Sequence, residues 1–249
     1  MNFFDNFVEY APLFLEASLL TLRLTAVALV IAMVLGAVIA WMAMSRVWPL
    51  RWLATAYIGV IRGTPLIAQI FLLYFGIAQV IRLDMFWAGA IALALHNSAY
   101  IAEIFRSGFQ AVPRGLVEAS RSLGMSKRKT LRRVQAPLAL RTTLPVLGNQ
   151  YIIAVKDSSL VAFIGMGELF KTSQNLAARN YEPLQMYLMV SIYYLVIVLI
   201  LTFVVNRIER SLSKHRRPVD STATGSDGNS EGGLRLRLRV RNQTSEGKG

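Results

Sequence analysis

The chain has 249 residues, of which 54% are hydrophobic and only 16% are charged, and its formal net charge is +13. It contains no cysteine, which excludes disulfides, CxxC metal sites and thiol nucleophiles. A basic chain otherwise suggests nucleic acid as a partner. Here, however, the positive charges lie between long apolar runs, which is typical of a membrane protein and excludes nucleic acid as the explanation of the charge.

Five apolar runs follow one another along the chain, and each, with its flanks, is long enough to cross a hydrocarbon core of about 30 Å as a helix. We therefore predict an all-α membrane protein with about five transmembrane helices. The fourth of these runs is interrupted by a Lys-Asp pair and supports its span least. In chain order the runs are Leu24–Met44, Gly63–Ile81, Met85–Ile101, Thr142–Gly167 and Leu184–Asn206.

Proline and glycine positions suggest where helices begin. The first helix is predicted from near Pro12. Gly63-Thr64-Pro65 is predicted to break the chain and start the second span, with Thr64 as N-cap and Pro65 in the first turn. The segment between Arg51 and Arg62 is too short to cross and is expected to lie along the membrane interface.

Lys and Arg positions predict the orientation. The connection over residues 45–52 contains Arg46 and Arg51, and residues 102–141 contain nine Lys and Arg, whereas the segments between them are balanced. The positive-inside rule therefore places the N-terminus outside and the C-terminus in the cytoplasm. Residues 1–217 are predicted to form the transmembrane domain, with a cytoplasmic loop at about 106–141. Residues 218–249 are predicted to be a flexible polar and basic cytoplasmic tail.

The cytoplasmic loop contains a pattern that sidedness alone does not explain. Glu118-Ala119-Ser120 can form a short helix that Gly124 ends through a positive φ. Ser126 is a good N-cap for a second helix, and Pro137 is predicted to close it. The loop is thus expected to form a helix-turn-helix. The small residues let another protein approach closely, and the basic residues behind them can meet an acidic partner or membrane lipid.

This loop resembles the cytoplasmic motif of permease subunits in ATP-binding-cassette (ABC) importers, namely E-A-A, three residues, G, nine residues, I-x-L-P. Glu118, Ala119, Gly124 and Pro137 match it, whereas Ser120 replaces the second Ala. Val134 and Ala136 replace Ile and Leu. The resemblance implies the type I importer permease fold and a coupling helix that docks onto an ATPase subunit.

Further motifs extend the resemblance over roughly residues 15–210. The stretch "RGTPL", with a Gln three residues further on, is similar to a signature of permeases for histidine, glutamine, glutamate, arginine and opines. A Glu near the end of the third span and the "KDSSL" stretch also match that subfamily. The motif residues are Arg62, Gly63, Thr64, Pro65, Gln69, Glu103, Lys156, Asp157 and Ser158.

The resemblance also implies partners and a location. They are a dimer of ATPase subunits, a second permease subunit that is identical or related, and a solute-binding protein outside the cytoplasmic (inner) membrane of a bacterium. ATP is then bound and hydrolysed by the partner, so no cofactor and no enzymatic activity are expected in this chain. Its own "GMSKRKT" lacks the glycines with which a phosphate loop wraps ATP. No metal site is expected either.

Ionisable residues inside predicted spans are the candidates for a substrate pathway, because such residues are costly in a membrane. Asp157 can accept the ammonium of an amino acid, and Arg23 or Lys156 can bind its carboxylate. Pairing among these residues, or packing between spans, is the alternative role. Asn97 and Tyr100 put a polar face on the third span, which either packs against other helices or lines the pathway. Ser158, next to Asp157, is a further candidate for the pathway.

A secondary transporter driven by an ion gradient is the alternative function. The small size of the chain, the absence of an inverted repeat and the cytoplasmic motif argue against it. Which amino acid is carried does not follow from the sequence, and cationic amino acids and opines are candidates beside glutamine.

Overall fold

The computed structural model describes residues 3–77, 80 and 82–213, and these residues form helices and short connections without a strand. The predicted tail, 218–249, lies outside the described residues. Residues up to Leu212 belong to one compact unit. The helices are α1 (Phe3–Ala43), α2 (Trp48–Gly63), α3 (Leu66–Phe71), α4 (Met85–Gln110), α5 (Arg114–Ser122), α6 (Lys127–Thr130), α7 (Ala136–Asp157), α8 (Leu169–Asn180) and α9 (Pro183–Ser213).

The first helix begins earlier than the sequence predicts. α1 starts at Phe3 and contains Pro12 in its interior, so the predicted start near this proline is wrong. A proline normally disfavours a helix interior because it lacks the N–H group. Contacts to α9 hold these first turns in place. Asn6 donates hydrogen bonds to Glu182 Oε2 at 2.7 Å and to Gln185 Oε1 at 2.8 Å.

Helices α1 and α4 form the main core of the molecule. Small residues four positions apart on α1, from Ala28 through Ala32 and Gly36 to Ala40, are buried. A Cβ atom added at Gly36 would lie 2.7 Å from Ile101 Cγ2 on α4, which shows how closely the two helices approach. Small residues at helix interfaces are typical of membrane proteins, because association there depends on close packing rather than on the hydrophobic effect.

The chain turns sharply between α2 and α3. The axes of Trp48–Gly63 and of the helical stretch Leu66–Gly76 meet at 105°. The predicted break at Gly63-Thr64-Pro65 is therefore confirmed, but Thr64 is not the N-cap. Its hydroxyl donates back to Val60 O at 2.9 Å, and Pro65 occupies the N-cap position without a side-chain bond.

The outer surface of the helices is apolar. Leu19, Val34, Leu199 and Phe203 are each more than half exposed, and they lie on α1 and α9. Within the part of the chain that the structure describes, three helices are long and apolar enough to cross a membrane, namely α1, α4 and residues Pro183–Ser211 of α9. The bent α2–α3 pair makes a fourth if it counts as one span. A large exposed apolar surface of this kind needs lipid or partner subunits to cover it. The span predicted over Thr142–Gly167 and the orientation stay predictions.

The second cytoplasmic helix does not end at Pro137. α6 continues through a π-helical turn (Leu131–Gln135) directly into α7, and Pro137 occupies the first turn of α7. The prediction that this proline closes a helix is therefore wrong. The widened π turn precedes the proline, where a regular α-helix would place a carbonyl against its ring. One continuous helical column thus connects the loop to the membrane part of the chain.

Candidate functional site

The predicted coupling helix corresponds to α5, and its middle turn, with Glu118, is exposed to solvent. Glu118 and Ala119 are exposed, whereas Ser120 is only 6% exposed. The helix ends as the sequence predicts, because Gly124 has φ +80°. Met125 N donates to Ser120 O at 3.2 Å and Gly124 N donates to Arg121 O at 3.0 Å, which is the paired pattern of a Schellman C-cap.

The coupling helix is braced against the helical column behind it. Ser120 Oγ donates to Thr130 Oγ1 at 3.3 Å, and both residues are buried. Ser126 caps α6 by accepting a hydrogen bond from Lys129 N at 3.4 Å, which confirms the predicted N-cap. Since α6 continues into α7, the hydrogen bond between Ser120 and Thr130 links α5 to the membrane part of the chain. Pro137 lies on this column and not on α5.

Residues of the "RGTPL" motif contact α4. Gln69 Nε2 donates to Ile61 O at 2.9 Å and to Thr64 Oγ1 at 2.8 Å, which ties α3 to the end of α2. Gln69 Oε1 accepts a hydrogen bond from His96 Nδ1 at 3.2 Å. The Arg62 guanidinium lies 5.3 Å from the centre of the Tyr100 ring, within cation–π range. Residues of the motif and of the third predicted span thus form one polar cluster.

A cavity of about 440 Å³ lies beside this cluster, between α4 and α7. Glu103 on its wall forms the predicted ion pair with Arg106, with Oε2 at 2.6 Å from Nη2. Gln150 Nε2 donates to Asn97 Oδ1 at 2.8 Å, and both side chains are buried. The cavity is lined by Arg62, Tyr100, Glu103, Ile104, Ser107, Gly108, Ala111, Thr142, Thr143, Val146 and Gln150. We call it the α4–α7 cavity.

A second cavity, of about 360 Å³, lies against α1 and is named the α1 cavity. Arg23 and Glu16 are seven residues apart on α1 and line it together with Thr172 of α8. Arg23 therefore faces a space that can admit a polar molecule. Lys156 and Asp157, at the end of α7, line neither of these two cavities. The structure does not bring them together with Arg23 there.

The remaining predicted pathway residues have packing contacts. Ser158 is fully buried and donates to Val155 O at 2.7 Å, inside the turn that follows α7. Asn97 Nδ2 donates to Leu93 O at 2.8 Å, so this amide is bonded on both its nitrogen and its oxygen. Tyr100, in contrast, faces the α4–α7 cavity.

A buried glutamate is the polar group that the sequence did not single out. Glu168 is 0% exposed and caps α8, with Oε1 accepting from Lys171 N at 2.7 Å. Its Oε2 accepts a hydrogen bond from Tyr194 at 3.0 Å, and Thr21 of α1 accepts one from Leu169 N at 3.1 Å. Because Glu is an uncommon N-cap, the capping pattern gave no signal. The only hint in the sequence is an acid directly before an amphipathic helix.

Fold and site together define an integral membrane transport subunit, with apolar spans, two cavities that each contain charged residues and an exposed short helix, α5. The chain belongs to the family described as binding-protein-dependent transport system inner membrane component, which it matches over residues 17–214. Membership places it in an inner membrane. It also implies a solute-binding protein and an ATPase as partners, and ATP is hydrolysed by that separate subunit.

Relatives with known functions cover nearly the whole membrane part. The arginine transport system permease protein ArtQ of Bacillus subtilis is 34% identical over 214 residues, which are 85% of this chain and 98% of ArtQ. The glutamine transport system permease protein GlnP of Escherichia coli K12 is 37% identical, over 81% of this chain and 93% of GlnP. A crystal structure of an amino acid ABC transporter with histidines is 39% identical, with a TM-score of 0.81, over 85% of this chain and 99% of that one. The chain therefore has the type I ABC importer permease fold.

Proposed function

We propose that this chain is the subunit through which an ATP-driven importer carries polar amino acids across the membrane. The relatives named above transport arginine and glutamine, and a third, similar structure is an amino acid transporter. Both cavities contain an acidic and a basic residue, which suits a zwitterionic solute. Cationic amino acids are included in the proposal, because one of these relatives is an arginine transport system permease protein.

The observation that carries the proposal is the coupling segment. α5 is a short exposed helix that ends at Gly124. Ser120 connects it by a hydrogen bond to the helical column that continues into α7. This arrangement supports a role in which a partner protein moves α5 and the column moves with it. Two ATPase subunits that close on ATP would move this segment in each of two permease subunits. The helices would then expose the cavities alternately to the two sides of the membrane.

The proposed complex contains three kinds of partner. A second permease subunit, identical or related, completes the pathway, because one chain of this size encloses only part of it. Glu118 contacts the ATPase, and a solute-binding protein delivers the amino acid from outside. ATP binds to the ATPase and not to this chain.

Co-purification tests the coupling proposal. The tagged chain is extracted mildly from its native membrane, and the proteins that accompany it are identified by mass spectrometry. We expect an ATPase subunit in the wild-type preparation, and we expect Glu118→Ala to reduce its yield. Glu209→Ala is the matched control, since this glutamate is also exposed but lies near the end of α9. An ATPase that stays absent from a folded preparation, or an equal loss in both variants, would contradict the proposal.

A further inference from the structure

The α4–α7 cavity is lined by a positive and a negative group. Arg62 comes from the end of α2, and Glu103 comes from α4. At about 440 Å³ the cavity falls within the range of roughly 300–1,000 Å³ that is usual for small-molecule sites. An amino acid is small enough to fit.

Both charged groups keep bonding capacity for a ligand. Arg62 contacts the Tyr100 ring through a cation–π interaction, with 5.3 Å between the guanidinium carbon and the ring centre, and this contact does not use its N–H groups as hydrogen-bond donors to an acceptor atom. Glu103 accepts two hydrogen bonds from Arg106, at 3.1 Å from Nε and 2.6 Å from Nη2. A carboxylate has about four lone-pair positions, so it can accept an ammonium as well.

The cavity also connects the interior of the molecule with the coupling segment. Its lining on α4 extends from Tyr100 to Ala111, which at about 1.5 Å per residue is roughly 16 Å along the helix. Buried Gln150 lies on its α7 wall, and α5 begins three residues after Ala111. A solute that moves from the middle of the membrane toward the coupling segment can therefore follow this wall.

We propose that the α4–α7 cavity is a binding station for the head group of the transported amino acid, with Arg62 holding its carboxylate and Glu103 its ammonium. This inference rests on the proposed function. All α-amino acids share that head group, so the station does not discriminate between side chains. Hydroxyl groups of Ser107 and Thr142 and the apolar wall accommodate the rest of the solute.

The absence of cysteine in the natural chain permits a direct test. Ser107→Cys places one thiol in the cavity, and Ser45→Cys, in the turn between α1 and α2, is the control outside it. The complete transporter, without nucleotide and in lipid nanodiscs, is labelled with a charged thiol reagent, and modification of this subunit is followed by mass. The probe is L-arginine or L-glutamine, whichever the wild-type transporter takes up with ATP.

Occupancy of the cavity should protect its thiol. At a probe concentration about ten times the Kd, labelling of Ser107→Cys is expected to slow roughly tenfold, whereas that of Ser45→Cys should not change. The decarboxylated amine of the same probe (agmatine or 4-aminobutanamide) should protect much less, because it lacks the group that Arg62 binds. In the Ser107→Cys background, Arg62→Gln should abolish protection by the amino acid. Arg51→Gln, on the same helix but outside the cavity, should preserve it.

The outcomes separate this inference from the proposed function. A transporter that takes up the probe with ATP but shows no protection at Ser107→Cys, or equal protection by the decarboxylated amine, would overturn the head-group station while the proposed function stands. A complex that takes up neither amino acid with ATP would refute the proposed function itself. Equal slowing at Ser45→Cys would indicate a general conformational change and would also overturn the station.

Discussion

Replacing Gly124 tests how the coupling segment depends on its backbone conformation. This glycine has φ +80°, and a Cβ atom added to it would meet no atom within 4 Å. A side chain at position 124 therefore destabilises the structure through backbone strain, because it would not clash with neighbouring atoms. A β-branched residue in this region of φ costs about 1–2 kcal/mol, which corresponds to roughly 5–30-fold in the population of the capped helix. Gly124→Val should reduce transport per ATP hydrolysed by a factor in that range.

Gly124→Asn is the matched control, because asparagine adopts a positive φ more readily than other residues with a side chain. Uptake and ATP hydrolysis are measured in the same proteoliposomes, and this subunit is quantified in each preparation. We expect the coupling ratio to fall in the order wild type, Asn, Val. A Val variant with the wild-type ratio, or an Asn variant as impaired as Val, would refute the link between the positive φ and coupling.

Two further predictions concern packing inside the membrane part. A Cβ atom at Gly108 would overlap a threonine methyl group of α7, so Gly108→Ala should cost about 1–3 kcal/mol and lower the Tm in detergent, whereas Gly59→Ala, with nothing within 4 Å, should not lower it. A Gly108 variant with an unchanged Tm would contradict the close approach of α4 and α7. Tyr194→Phe removes the hydrogen bond to buried Glu168 and should destabilise by about 1–3 kcal/mol, while Tyr193→Phe keeps its stacking contacts and should be nearly neutral. Equal Tm values for the two tyrosine variants would exclude a stabilising role of that bond.

Helix ends and short-range contacts could be predicted from the sequence where a local conformation strongly favours one type of residue. Glycine favours a positive φ, so the end of α5 at Gly124 followed from the sequence. Ser126 was predicted as an N-cap because serine is favoured at that position. The ion pair between Glu103 and Arg106 was predicted because the two residues are three apart on one helix. These features depend only on neighbours within one or two turns.

Tertiary contacts decided the positions where the sequence predictions were wrong. Pro12 lies inside α1 because hydrogen bonds from Asn6 to α9 hold the preceding turns, and no local signal announces a partner some 176 residues away. Pro137 does not end a helix, since a π turn accommodates it. Glu168 was missed for the same reason: its burial depends on Tyr194, from a helix later in the chain.

The α4–α7 cavity and the α1 cavity illustrate the same limit. The sequence marked Arg23, Lys156 and Asp157 by their depth in predicted spans, but only Arg23 lines one of the two described cavities. Arg62 and Glu103 were identified through motifs, without any indication that they line the same cavity. Which ionisable groups face one space depends on helix rotation and on the 105° turn between α2 and α3.

The most direct test of an ATP-driven amino acid importer is the energy source of uptake. Proteoliposomes that contain this chain with its co-purified partners and the solute-binding protein are given labelled L-arginine or L-glutamine. ATP is supplied on the ATPase side, or an imposed sodium or proton gradient is supplied without ATP. We predict uptake that requires ATP and falls in the Glu118→Ala variant. Uptake driven by the ion gradient alone, unaffected by ATP and by that substitution, would show that the chain is a gradient-driven carrier instead.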